Sequence, residues 1–351
     1  MNFYCAIQGN APENIASAVA LTMMGSRFED WPESKRKDLE AFFSRVGYKG
    51  TAEWKEAIVH LDPTPVDVIK TAFPDGKKVS IQPDSDPRIV FADWLINEDN
   101  PWFARAVANR YWAWLMGRGI VEEADDFRAD NPPSNPELLD YLAKELVDSG
   151  YDLRHLVKTI VSSRTYQQSF IPRGDKAGAE ALFAYYPARQ LDAEIIQDAL
   201  NGIYGGEVLY SSMVPEPFTF VPEEHRAIEL RDGSINSPFL EMFGRPSRDS
   251  GLMTERNLTP TDSQRLYMLN SSQIQAQITR SPKLRGAVRL AGNDTEKLTR
   301  ALYLLLLSRM PTDEELAAAK AYSEGPHGKG LNFRNDLAWA LTNSKEFLYR
   351  H

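Results

Sequence analysis

The chain is written in short amphipathic stretches. Between residues 101 and 116 the apolar positions Phe103, Ala106, Val107, Tyr111 and Trp114 recur at intervals that place them on one side of a 3.6-residue helix. Leu153, Val157, Ile160 and Val161 repeat the pattern further on. This period predicts helices near 12–24, 33–46, 87–98, 101–116, 136–148, 153–169, 188–204, 262–280, 294–309, 313–323 and 332–349. Start signals coincide with several of them. Asp86-Pro87, Asn100-Pro101 and Asn135-Pro136 each set a capping side chain before a proline, whose missing N–H costs nothing in a first helical turn. Thr312-Asp-Glu-Glu315 has the form of a capping box. The fold class expected is mainly α.

Two stretches break the period. Within 62–85, the segments Val66–Phe73 and Lys78–Gln82 flank Pro74-Asp75-Gly76, which reads as a small hairpin around a tight turn. From Gly205 to Pro260 the chain is rich in Pro and Gly without a sustained period, so it reads as a long irregular segment, a class of loop that is usually functional or disordered. The expected organisation is a first region over 1–85 and a helical domain over 86–351 with an irregular insertion at 205–260.

Composition narrows the functional classes. A chain of 351 residues with 42% hydrophobic and 25% charged positions has enough apolar material for a substantial core in one large or two smaller domains. A net charge of −9 argues against general affinity for nucleic acid or an anionic membrane, since both require a basic face. No apolar run approaches membrane-spanning length; Leu302–Leu307 is a short buried run. Met1-Asn-Phe-Tyr-Cys5 lacks the basic start and apolar stretch of a signal peptide. The single cysteine, Cys5, cannot close an internal disulfide or build a cysteine-rich metal site. His60, His155, His225, His327 and His351 show no ligand spacing, and Ser211 and Ser212 lack a nucleophile-elbow context. No metal is expected.

Several longer motifs carry a resemblance. Asn100-Pro-Trp-Phe-Ala-Arg-Ala-Val-Ala-Asn-Arg-Tyr-Trp112, Gly117-Arg-Gly-Ile-Val121, Asp125-Asp-Phe-Arg128, Asn131-Pro-Pro-Ser-Asn-Pro-Glu-Leu-Leu139 and Ser163-Arg-Thr-Tyr166 are followed by Phe243-Gly-Arg-Pro246, Thr254-Glu-Arg256, Ser308-Arg-Met-Pro-Thr312 and Asn343-Ser-Lys-Glu-Phe347. Together they resemble the C-terminal domain of unknown function, the PSD domain, of planctomycete cytochrome-like exported proteins. The resemblance covers roughly 86–351, with a weaker extension over 12–85. In that extension Phe28, Glu29 and Trp31 match part of the family's His-Pro-Phe-Asp-x-Trp run, while Ala20, Met23 and Met24 stand where the family has the cysteines and histidine of Cys-x-x-Cys-His. Covalent haem attachment needs those thiols and the axial imidazole, so no haem and no other cofactor is expected. A second departure is Gly251-Leu-Met-Thr-Glu-Arg256, where relatives commonly show Cys-x-Cys-Glu-Arg. The resemblance implies a start inside the cytochrome-like region, as expected of a truncated gene, a processed fragment or a shortened relative.

What the family resemblance implies is export, to the periplasm or cell surface, and association with sulfatase-like proteins in the breakdown of complex, often sulfated, polysaccharide. The residues themselves supply candidates. Arg110 and Arg164 fall at the centres of their apolar stripes, so both are expected to point inward and to need anionic or carbonyl partners. Asp125, Asp126, Glu194 and Asp198 are available for such ion pairs. On one reading the arginines tether helices; on the other, Arg110, Arg164, Arg245, Arg248 and Arg256 converge on a cleft that binds sulfate or carboxylate through planar two-point contacts. Arg245, Arg248 and Arg256 are the ligand-binding candidates, and Arg245 and Arg248 are the better ones, because they lie on the irregular segment and not on a core stripe. Three functions follow: a non-catalytic binding or assembly module taking an anionic polysaccharide or a sulfatase-like partner; a hydrolase with Asp125, Asp126 or Glu255 as acid and base; and electron transfer, which the vacated haem motif disfavours.

Overall fold

The structure, a computed structural model, describes residues 4, 7, 9–50, 57–64, 67–174, 177–206, 208, 210, 221–222, 225–230, 235, 237–245, 256–257, 259–292 and 294–350. The fold is mainly α. Fifteen α-helices and three two-stranded antiparallel sheets are found among these residues. Two compact units divide the chain, the first comprising Met1–Pro187 and the second Ala188–Asp249 with Arg256–His351.

In the first unit, α1 (Pro12–Met24) and α2 (Glu33–Ala41) pack with two hairpins and α3 (Pro87–Leu95). Ile15, Ala16, Ala20, Met24, Leu39, Phe42 and Phe91 form the centre of this cluster, so Ala20 and Met24 of the vacated haem motif are core residues. The sequence boundary at 85/86 therefore falls between elements that share one apolar cluster. The hairpin expected around Pro74-Asp75-Gly76 is present as β3 (Ile69–Ala72) and β4 (Lys78–Ile81), with Gly76 at φ +90°. The helix expected over 33–46 ends at Ala41, and after a turn over 42–45 comes a second hairpin, β1 (Val46–Gly50) with β2 (Ala57–Leu61). Its register sets Gly47 against His60, whose ring would lie 2.7 Å from a Cβ at position 47.

A second cluster of the same unit gathers α4 (Phe103–Met116), α5 (Pro136–Asp148) and α6 (Leu153–Val161). Leu139, Leu142, Ala143 and Leu146 are buried at i, i+3, i+4 and i+7 of α5 and meet Trp112 and Met116 of α4 with Leu156 and Ile160 of α6. Truncating any such leucine to alanine typically costs about 2–5 kcal/mol. The Asn135 and Asp86 side chains accept hydrogen bonds at the starts of α5 and α3, as their sequence context predicts. The period overreached at α6, which stops at Val161 rather than continuing to 169. Arg164 consequently lies beyond the helix and is exposed, which corrects its expected inward placement.

In the second unit, α7 (Ala193–Tyr204) buries Ile196, Leu200 and Tyr204 against later helices. These are α8 (Pro238–Met242), α9 (Asp262–Asn270), α10 (Ser272–Arg280), α11 (Pro282–Ala291), α12 (Thr295–Leu307), α13 (Asp313–Glu324), α14 (Leu331–Thr342) and α15 (Lys345–Leu348). One helix was expected over 262–280, but Ser271 ends α9 and its hydroxyl accepts from Ile274 to start α10. Ser281 repeats the device before Pro282, with its hydroxyl accepting from Leu284. The helix expected over 332–349 is likewise divided, since Ser344 caps α15. The outer strands β5 (Arg189–Gln190) and β6 (Tyr349–Arg350) pair at the unit's chain ends.

The capping box at Thr312 forms as expected, with Thr312 Oγ1 accepting from the Glu315 backbone and Glu315 accepting from the Thr312 N–H. Arg309 donates to both Glu315 oxygens at 2.8 Å. That contact, assisted by the Thr312 backbone and opposed by partial burial, holds the Glu315 carboxyl down at about 2, against its ordinary 4.5. A folded pKa below the unfolded one contributes stability that is complete above the unfolded value and is lost as pH falls toward the folded one. The melting temperature is expected to drop between pH 4.5 and 2 more steeply in the parent than in Glu315→Gln. Parallel pH profiles for the two proteins contradict the assignment.

Candidate functional site

Two clusters of arginine and carboxylate side chains are built, one in each unit. In the first, α4 ends at Gly117 (φ +81°) and the chain turns back over its own helix. Gly119 is required in that turn, because a Cβ there would lie 2.0 Å from the Val121 carbonyl oxygen. Asn109, fully buried on α4, clamps the returning strand: its amide donates to the Val121 and Ala124 carbonyls at 3.0 and 3.1 Å and accepts from the Val121 N–H at 3.0 Å. This clamp delivers Asp125 and Asp126 to the helix. Arg110 donates to Asp125 Oδ1 from Nε at 2.9 Å and Nη2 at 2.5 Å, and to the Thr22 carbonyl at 2.8 Å. Asp126 Oδ2 receives Arg27 Nε at 2.9 Å and lies 3.1 Å from Arg128 Nε. Asn131 closes the turn by donating to the Glu122 and Asp126 carbonyls.

Both aspartates are 3% exposed and face guanidinium groups. An acid–base pair must present its carboxyls to a substrate across a groove; these two face inward onto arginine. Asp125 and Asp126 therefore act as tether points in the described geometry, the pairing with Arg110 being the one that the stripe position suggested. Asn109 escaped the sequence reading because a buried asparagine on a helix has no periodic signature. No group of three or more His, Cys, Asp or Glu residues with metal-site geometry occurs among the described residues.

The second cluster is assembled by one glycine. Gly244 follows α8 at φ +98°, and a Cβ on it would sit 1.8 Å from the Asn257 carbonyl oxygen. The absence of a side chain lets the two backbones meet, with the Asn257 N–H donating to the Gly244 carbonyl at 3.1 Å. Arg245 and Arg256, adjacent to these two residues, are thereby brought to the same carboxylate. Glu194, on the first turn of α7 and 4% exposed, receives Arg256 as a two-point fork at 3.0 and 2.8 Å. Arg245 Nε approaches the same carboxylate at 3.4 Å, and its Nη2 donates to the Leu230 carbonyl at 3.2 Å. Asp198, one turn along α7, takes a different role from the ion pair expected of it. Its two oxygens accept from the Ala227 and Ile228 N–H groups at 2.7 and 3.1 Å and hold a 3₁₀ turn at 227–229. Arg248 and Glu255 lie outside the described residues.

Both clusters leave buried polar atoms unsatisfied among the described residues: Asp126 Oδ1 in the first, an acceptor, and arginine donors in the second. The Arg245 side chain is 4% exposed, yet its Nε and Nη1 make no hydrogen bond among the described residues. Nearby, the Tyr210 hydroxyl is also buried without a hydrogen-bond partner among the described residues. Burial pushes Tyr210 up to about 12; Asp198 and Glu194 reinforce the shift, and Arg245 opposes it. Buried polar groups are nearly always paired, and those that are not mark a function, an ordered water or an ion.

The family model described as PSD1, a protein of unknown function (DUF1553), matches residues 87–323. The chain belongs to the PSD1 family. The PSD1 match begins at the capped start of α3 and takes in Arg110, Asp125, Asp126, Glu194, Arg245 and Arg256, but not Arg27 and Thr22 of the first cluster. No curated protein and no solved structure matches the chain. No described helix of this PSD1 protein is long and apolar enough to cross a membrane.

Proposed function

We propose that this chain is a non-catalytic binding module of an exported system for breaking down complex polysaccharide, and that it holds a sulfate or carboxylate group of the polymer at Arg245 and Tyr210. The observation that carries the reading is the pair of buried, unbonded donors, Arg245 Nη1 and Tyr210 Oη. A guanidinium edge matches the spacing of sulfate or carboxylate oxygens, and a phenol that stays protonated supplies a neutral donor beside it. Arg256 serves by holding Glu194, which in turn positions Arg245. Arg248 is proposed as a further cation of the same site. Export, polysaccharide association and a sulfatase-like partner rest on the family resemblance; the anion chemistry rests on the side chains. Calorimetry with sulfated and unsulfated oligosaccharides tests the reading. Binding of the sulfated chain alone, lost in Arg245→Ala, supports it, and equal heats from both sugars or none from either overturn it.

Tyr210→Phe separates a ligand role from a structural one. Removing a buried hydroxyl that lacks a partner is expected to leave the melting temperature unchanged or to raise stability by up to ~1 kcal/mol. The same change is expected to weaken anion binding about tenfold, the loss of one hydrogen bond to a charged group. A destabilised Tyr210→Phe with unaltered binding contradicts the assignment.

A further inference from the structure

A separate cleft of ≈540 Å³ opens in the second unit between α13 and α14. Each helix turns one face toward it. Glu315, Ala318, Ala319 and Tyr322 follow one another at i, i+3, i+4 and i+7 on α13, and Phe333, Asp336, Leu337 and Ala340 do the same on α14. Facing stripes of this kind normally interdigitate and close. Here the alanines are too short to fill the space between the helices, so a hollow remains above Tyr303 of α12. Its volume lies within the range of about 300–1,000 Å³ typical of small-molecule sites.

The walls are aromatic and the rim is acidic. Tyr303 and Phe333 are buried, Tyr322 is 42% exposed and Trp339 is half-buried, so ring surfaces line the cleft from base to mouth. The two carboxylates at the rim are not equivalent. Glu315 is paired with Arg309, which it shares with Glu346 and whose guanidinium also lies 5.2 Å from the centre of the Tyr303 ring. Asp336 has no cation within ion-pair distance among the described residues; it accepts one hydrogen bond, from the Tyr322 hydroxyl at 2.7 Å. The cleft thus combines π faces with net negative charge, Asp336 having no paired cation among the described residues, and it lacks a cationic donor free to receive an anion.

We propose that this cleft binds a small organic cation, an ammonium group carried on an apolar body. The apolar body lies against Trp339 and Phe333, and the ammonium sits at Tyr322 and Asp336, where ring quadrupole and carboxylate both attract it. A neutral sugar fits less well, because the rim offers it few hydrogen-bonding groups. The site is independent of Arg245.

Three probes of one shape test the proposal on the full chain: 2-phenylethylammonium, 2-phenylethanol and phenylacetate, titrated with detection by calorimetry and ligand-observed magnetic resonance. The ammonium is expected to bind at least about tenfold more tightly than the alcohol, and phenylacetate more weakly than either. Asp336→Asn, a change at an exposed position, is expected to reduce the ammonium to the affinity of the alcohol, while Trp339→Ala weakens both. Equal affinity of ammonium and alcohol for the parent, no binding by any probe, or a preference that survives Asp336→Asn overturns the proposal.

Discussion

Arg245→Ala is expected to abolish measurable preference for a sulfated over an unsulfated oligosaccharide while leaving the protein folded. Truncating one partner of a buried, hydrogen-bonded charge pair in a complex costs about 2–5 kcal/mol, which corresponds to a loss of affinity of roughly 30-fold or more. The fold tolerates the change because Glu194 retains the two-point fork from Arg256, and the group left unpaired is the Leu230 carbonyl. Arg245→Lys is expected to keep part of the affinity, since an ammonium preserves the charge without the planar edge. A variant that melts like the parent and binds like the parent removes Arg245 from the site. Loss of binding together with loss of structure in Arg245→Ala is resolved by Tyr210→Phe, which touches no satisfied contact.

The second large effect is on stability. Arg110→Met takes from the buried carboxylate of Asp125 the guanidinium that gives its Oδ1 two hydrogen bonds, and it also deprives the Thr22 carbonyl at the end of α1. Removing one partner of such a pair costs on the order of 3 kcal/mol, or about 6–12 °C in the melting temperature of a unit this size. Arg164→Met provides the contrast. Its side chain is exposed past the end of α6, so the change is expected to fall within about 0.5 kcal/mol of neutral. In sequence the two arginines fall at equivalent points of an apolar period, and the end of α6 at Val161 sets Arg164 apart. Equal melting of Arg110→Met and the parent contradicts the tether.

That contrast shows which features a sequence makes legible. Helix starts were readable at Asp86, Asn135 and Thr312 because a cap is a local event, decided by a side chain and an N–H two or three residues away. Helix ends at Val161 and Ser271 were not, because the apolar period continues through them while the backbone turns, whereas the end at Arg280 falls where the period stops. The Ser281-Pro282 pair did carry a start signal, the same capping residue before proline that was read elsewhere. The hairpin at Val46–Leu61 was obscured by a polar helix whose period ran up to it. At the site, Arg110 and Asp125 could be paired from a stripe and a glycine turn 15 residues apart. The convergence of Arg245 and Arg256 on Glu194 spans about 50–60 residues and depends on Gly244 admitting the Asn257 carbonyl, a steric fact that no period encodes. Asn109 was missed for the same reason: its partners are backbone atoms of a turn.

Arg245 also offers the most direct test of the binding reading, because its side-chain N–H groups report on their own acceptors. Nitrogen-15 correlation spectra of the full chain, with the Arg245 resonances identified by their loss in Arg245→Lys, would be followed during titration with a sulfated oligosaccharide. The predicted result is a saturable shift of the Arg245 side-chain N–H signals that the unsulfated oligosaccharide does not produce and that Tyr210→Phe diminishes. Arg245 signals that stay in place while the sulfated ligand binds, or that move equally with both sugars, would contradict an anion site at this guanidinium.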